Sequence, residues 1–187
     1  AGGPVAHDPP FIVPDGASLS SVAAKLEKEG AVASAASFRL QARIFGGGTP
    51  IRAGEFMLPS GASPSRVLAV LQGNEVMRRF ITVPEGMPSV LVHERLMAQP
   101  LLTGEVAVPP EGSVLPDSYD FERGESRQAV LLRMQTAMSR ALQEEWAKRG
   151  PGIAVKTPQE ALSLAAIVEK ETGKPEERRT VAGLYSN

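Results

Sequence analysis

Phe11-Ile-Val-Pro-Asp-Gly16, Phe56-Met-Leu-Pro-Ser-Gly61 and Phe80-Ile-Thr-Val-Pro-Glu-Gly86 are variants of one pattern, a short apolar run followed by Pro-x-Gly. The run has strand chemistry, and proline and glycine two residues apart make a turn. A helix is expected after each. In the first, Ser18 is placed to cap, and Leu19, Val22, Ala23 and Leu26 form an i, i+3, i+4, i+7 stripe that ends at Gly30. In the second, Ser63-Pro64 starts a helix carrying Val67, Leu68, Val70 and Leu71, stopped by Gly73-Asn74. In the third, Val90, Leu91 and Leu96-Met97 supply the apolar positions. A further helix is expected from Ala35 to Phe45, with Phe38, Ala42 and Phe45 on one side, before Gly46-Gly47-Gly48. No Lys-Ser/Thr follows those glycines and no G-x-G-x-x-G opens a helix, so they read as a flexible loop rather than a phosphate cradle.

Residues 11–74 therefore read strand, helix, helix, strand, helix, which predicts an α+β fold with helices packed on one side of a short antiparallel sheet. The first ten residues, rich in Gly and Pro without periodicity, read as a flexible lead. We place a small α/β subdomain at residues 11–75 and a mainly helical subdomain at 76–187. The second begins with a strand around Arg79 to Val83. Pro109 to Phe121 is its irregular stretch, because the prolines forbid a continued helix. Loops often carry sites, and here Glu111, Asp117 and Tyr119 are candidates to present two acids and a phenol to a polar ligand. A surface crossover with solvated acids is the alternative. Ser126 to about Lys148 is an amphipathic helix whose stripe runs through Val130, Leu131, Met134, Met138, Leu142 and Trp146.

The last helix begins with a capping box. Thr157 caps, Pro158 takes the first helical position, and Glu160 lies three residues after the cap. Gly173 and Pro175 close it. A turn of about 100° per residue puts Leu164, Ile167, Val168 and Glu171 along one face, with Glu169 rotated about 200° from Glu171. Glu171 thus continues the apolar stripe, where packing against hydrocarbon favours the protonated form and suits a general acid. Two readings of the pair stand at this level: solvated acids at a helix end, or one catalytic acid beside a flanking one.

Composition narrows the chemistry. The 187 residues include no Cys and two His, His7 and His93, which removes disulfides and thiolate chemistry and leaves little for a metal site or a Ser-His-Asp triad. No cofactor is expected. Twenty basic residues face 21 acidic ones without a block of like charge, which argues against nucleic acid and against an anionic membrane surface. No apolar run reaches the roughly 20 residues of a membrane span.

The helix Ala166-Ile167-Val168-Glu169-Lys170-Glu171-Thr172, followed by Glu176-Glu177-Arg178 and Val181 to Asn187, resembles the signature of the YceG-like (MltG) endolytic murein transglycosylases. Ala53-Gly54-Glu55-Phe56, Thr82-Val83-Pro84-Glu85-Gly86 and Glu111-Gly112-Ser113-Val114-Leu115-Pro116-Asp117-Ser118-Tyr119 are similar to further family segments in the expected order. Phe56 stands where Tyr is frequent, and Ser118 where Thr is commoner. The resemblance implies a LysM-like subdomain followed by a catalytic one. It implies a lyase of cell-wall biogenesis that cuts the MurNAc-GlcNAc β-1,4 bond of peptidoglycan and leaves a 1,6-anhydroMurNAc end. Glu171 is then the catalytic acid and base, with Glu169 and Thr172 supporting it and Glu111, Asp117 and Tyr119 lining the glycan groove. Partners would be glycan strands and cell-wall synthesis proteins. The place would be the periplasmic face of the inner membrane, with an N-terminal anchor outside this chain. A non-catalytic peptidoglycan-binding or scaffold module is the competing reading. The helical run Thr180 to Ser186 has no stop signal, so the catalytic subdomain is expected to be incomplete at Asn187.

Overall fold

The structure is a computed structural model that describes residues 10–172 and 175–186. The elements are β1 (Phe11–Val13), α1 (Leu19–Lys28), α2 (Ala35–Phe45), β2 (Gly54–Phe56), α3 (Pro64–Gln72), β3 (Arg78–Val83), α4 (Ser89–Ala98), β4 (Asp117–Glu122), α5 (Arg127–Ala147) and α6 (Pro158–Glu171). A 3-10 turn, Pro175–Glu177, leads into α7 (Arg178–Ser186). The expected α+β class holds, with β1 paired to β2 and β3 paired to β4. The lead, except Pro10, lies outside the described residues, as do His7, the Gly173 stop and Asn187.

The described residues form two compact units that the chain visits in turn. The first holds residues 10–82, 95–105 and 118–127, and the second holds the remainder. In the first, β1 and β2 run antiparallel with Phe11 opposite Phe56, Ile12 opposite Glu55 and Val13 opposite Gly54. Ser18 and Ser63 start their helices as their positions predict, their hydroxyls accepting from the backbone N–H of Ser21 and Arg66, and Ser34 does the same for α2 through Ser37 N–H. The apolar stripes then meet in one core around Phe11, Leu26, Phe38, Phe56 and Leu71, all nearly or wholly buried. Burial of each such side chain is worth about 1.5–3 kcal/mol. Phe45 departs from its expected place beside Phe38. It is 76% exposed, because the buried stripe closes at Ala42 and Phe45 is the last helical residue.

All three residues of β2 are buried, each for a different reason. Phe56 enters the core. Gly54 has φ +136°, and a Cβ there would fall 2.6 Å from Val76 Cγ1, so only glycine lets the two segments meet. Glu55, its side chain 2% exposed, is held by two guanidinium groups: Arg79 donates Nη2 to Oε2 (2.9 Å) and Nε to Oε1 (3.4 Å), and Arg123 donates Nη1 to Oε1 (3.4 Å). The hydrogen bond from Arg79 holds the Glu55 carboxyl below the usual carboxylate range, with the charges of both arginines adding to it against the opposing effect of burial.

In the second sheet, Arg78 pairs with Asp120, and the hydroxyls of Thr82 and Ser118 meet at 2.8 Å. Those two contacts run in opposite directions along the strands, as antiparallel pairing requires. The stretch read as irregular through Phe121 is a strand from Asp117, since Tyr119 and Phe121 alternate inward between polar neighbours. The Arg127 guanidinium closes the far end of α4. It donates to the carbonyls of Leu96 (2.7 Å), Met97 (3.2 Å), Gln99 (2.8 Å) and Gly104 (2.6 Å), satisfying acceptors that a helix C-terminus leaves orphaned.

In the second unit, the α5 stripe is as the periodicity predicts, with Val130, Leu131 and Met134 buried and Met138, Leu142 and Trp146 half-buried. The start of α4 turns differently from expectation. Val90 and Leu91 are exposed while Ser89 and Val92 are buried. The reason is that Ser89 is fixed by polar bonds to the loop at Pro110 and Glu111. His93 is structural, its Nε2 3.0 Å from the Val106 carbonyl.

Arg79→Ala should destabilise the chain by about 1–3 kcal/mol in urea unfolding, more than Glu55→Gln does, because the exposed arginines rehydrate whereas Glu55 cannot. The folded-state pKa of Glu55 lies below its unfolded value. Its contribution is therefore complete above the ordinary carboxyl range and is lost as pH falls from that range through the lower folded-state value, and Glu55→Gln should flatten this acid dependence. Gly54→Ala should cost on the order of 2 kcal/mol, read as a lower thermal midpoint.

Candidate active site

The chemistry singled out in the sequence lies in and around α6, so its local folding matters first. Thr157 Oγ1 accepts from Glu160 N (3.2 Å), as the capping box predicts. The reciprocal bond closes one residue early: Glu160 Oε2 accepts from the N–H of Lys156 (2.7 Å). The helix then buries Val168 and, one turn on, Thr172, with Ala161 and Leu164 half-buried before them. This inward stripe passes next to Glu171 and not through it. Glu171 is exposed, which corrects the expected packing of its carboxyl against hydrocarbon. The physical reason is at Thr172, whose hydroxyl donates back to the Val168 carbonyl and leaves the helix with an extended backbone. A buried residue at 172 turns its predecessor by about 100° toward solvent.

The two acids differ in their partners. Glu169 Oε2 accepts from Arg178 Nη2 at 2.9 Å, an exposed pair that joins α6 to α7 where the helices pack. The Glu171 carboxyl makes no ion pair among the described residues. Four residues before it, Ile167 is also exposed and lines an apolar hollow of about 460 Å³ with Leu164, Ser163, Gln159, Glu160 and Tyr185 of α7. Residues at i and i+4 lie about 40° apart on a helix, so the face that floors the hollow continues to Glu171.

The proline-rich loop belongs to the same unit. Gly112 has φ +72°, and a Cβ there would meet Leu162 Cδ2 of α6 at 3.3 Å, so the loop lies directly against the helix. Glu111 accepts from Ser89 N (2.9 Å), while Ser89 Oγ donates to the Pro110 carbonyl (3.1 Å). The carboxylate thus caps the first residue of α4 from 22 residues away. Asp117 is exposed at the start of β4. Tyr119 is buried in β4 and belongs to the first unit, whereas Glu111, Asp117, Glu169, Glu171 and Thr172 all belong to the second. Sequence reasoning gave no role to Arg178, Tyr185 or Ser89. Arg178 and Tyr185 stand in segments that carry the family resemblance, but only the packing of α7 on α6 gives them partners.

Among the described residues, no group of three or more acidic or histidine side chains is placed to hold a metal ion. Nor is any described helix long and apolar enough to cross a membrane. The model of the YceG-like family matches residues 11–187, and the chain belongs to that family. Comparison with curated proteins gives no match. Among solved structures, a yceG-like protein from Listeria monocytogenes aligns with 17% identity and a TM-score of 0.36, over 90% of this chain and 66% of the Listeria chain.

Glu111→Ala should lower stability by about 1 kcal/mol in chemical denaturation, the usual cost of a lost helix cap. A Glu111 that only lined a groove would leave the midpoint unchanged.

Proposed function

We propose that this chain is the LysM-like and catalytic part of an endolytic lytic transglycosylase acting on peptidoglycan, with Glu171 as its acid and base. In this reading residues 11–75 engage glycan and residues 76–187 carry the reaction, at the periplasmic face of a bacterial inner membrane. Support comes from family membership over residues 11–187. The observation that carries the choice of residue is the difference between the two acids: Glu169 is engaged by Arg178, and Glu171 presents an exposed carboxyl beyond the Ile167 and Tyr185 hollow.

Such a site does not need a second carboxylate. Glycosidases that admit water use two, set about 5–10 Å apart across the bond. Here Glu171 gives its proton to the glycosidic oxygen as the bond to C1 of the muramyl residue breaks. The resulting carboxylate then takes the proton of the same residue's C6 hydroxyl while that oxygen closes onto C1. The 1,6-anhydro ring forms, no water is consumed, and the carboxyl is regenerated. An internal nucleophile gains the proximity advantage of an intramolecular reaction. Thr172 and Glu169 act as positioning residues, one anchoring the helix end in the interior and the other tying it to α7. The loop of Glu111 and Asp117 lies against α6 through Gly112 and forms the wall of the glycan path.

The test uses the full-length gene product on purified sacculi, with released fragments identified by mass spectrometry. Glu171→Gln should abolish anhydro-muropeptides, a loss of at least about 10²-fold for removal of a general acid and base. Glu169→Gln should retain most of the activity. If the outcomes are reversed, Glu171 is not the catalytic group. Reducing ends made by water would define a hydrolase, and sacculus binding without release would define a non-catalytic glycan-binding module.

A further inference from the structure

The second apolar feature of the molecule lies in the first unit, on the outward side of α2. Leu40 is 59% exposed, Ile44 61% and Phe45 76%. Leu40 and Ile44 stand one turn apart and opposite the buried Phe38 and half-buried Ala42, so this face points away from the core that the other side fills. Beside them run Arg39 and Arg43, also one turn apart and exposed. The helix ends at Phe45 and is followed by Gly46, Gly47 and Gly48, the last two with φ of +59° and +76°.

The segment that carries this face is charged almost entirely with one sign, while α1, which packs on α2, adds two lysines, Lys25 and Lys28, and two acids, Glu27 and Glu29. Residues 30–74 carry four arginines and a single acid, Glu55, in a chain whose net charge is -1. Glu55 is buried and neutralised by Arg79 and Arg123. Arg52 is engaged by Asn74 and Glu122. That leaves Arg39, Arg43 and Arg66 exposed, and none of them makes an ion pair among the described residues. The near balance of charge over the whole sequence conceals this local asymmetry.

We infer that α2 docks on an anionic phospholipid bilayer, with Leu40 and Ile44 of its outer face and Phe45 at its C-terminal end entering the headgroup boundary and Arg39 and Arg43 pairing with lipid phosphates. A partner that is acidic and polar throughout would match the arginines and leave three large apolar side chains exposed. A neutral apolar partner would leave the arginines uncompensated. An anionic bilayer offers acyl chains and phosphates within one interface, and arginine reaches the phosphates while its stem stays among the apolar groups. This inference does not depend on the proposed reaction, because every residue it uses lies outside the segment that carries Glu171.

The test is co-flotation of the 187-residue chain with vesicles of phosphatidylglycerol and phosphatidylethanolamine, compared with phosphatidylcholine alone. Binding is expected to the anionic vesicles and to weaken with salt. Leu40→Gln, Ile44→Gln and Phe45→Gln combined should reduce it at least tenfold. Arg39→Gln with Arg43→Gln should reduce it by roughly tenfold or more at low salt, as expected for two cations near an anionic surface. All five positions are exposed, and unchanged circular dichroism will show that the variants fold. Absence of binding, equal binding to both vesicle types, or a triple variant that floats like the parent overturns the inference. A concentration-dependent dimer in sedimentation that the triple variant abolishes overturns it too, assigning the face to a second copy of the chain.

Discussion

A carboxylate with almost no access to water is the constraint around which the first unit is built. Glu55 lies in a three-residue strand between a glycine that must have no side chain and a phenylalanine that fills the core. An ion in that position is unfavourable unless opposite charge and hydrogen-bond donors reach it. Both come from far along the chain, Arg79 at 24 residues and Arg123 at 68. The strand β3 and the turn after β4 are therefore held to β2 by charge as well as by packing. Arg79 and Arg123 each keep one side in water, so the pair avoids the full penalty of burying both partners.

The same economy of polar groups recurs elsewhere. Arg127 closes the C-terminal end of α4 with one guanidinium, and Glu111 closes the N-terminal end with one carboxylate. Thr172 returns its hydroxyl to the last turn of α6. Each meets a backbone group that a helix end leaves without a partner. The result at α6 is that structural duties fall to Thr172 and Glu169, while Glu171 is left facing outward next to an apolar hollow.

Much of this was legible in the sequence. Local signals placed the caps at Ser18, Ser63 and Thr157, and helical periodicity placed the apolar stripes of α1, α3 and α5. These signals act within one or two turns of chain, so they survive without knowledge of the fold. The errors share a cause. Glu171 was assigned to the inward stripe, and Val90, Leu91 and Phe45 to buried positions, by extending a period into the first or last turn of a helix. There a cap or a back-bonded hydroxyl decides the facing. The β4 strand was hidden because the prolines before it dominate the local reading, although Tyr119 and Phe121 alternate at the period of a strand.

The sequence by itself determined the α+β class, the order of strands and helices through residue 74, and the family to which the chain belongs. It did so through spacing, turn residues and caps, which are local or linear properties. Only the tertiary structure decided that Glu55 is a buried ion, that Glu111 caps a distant helix, that Glu169 is engaged by Arg178 while Glu171 is not, and that α2 shows solvent an apolar and cationic face. Those facts depend on which side chains meet across tens of residues. Burial and pairing are properties of such meetings, and no single stretch of chain contains both partners.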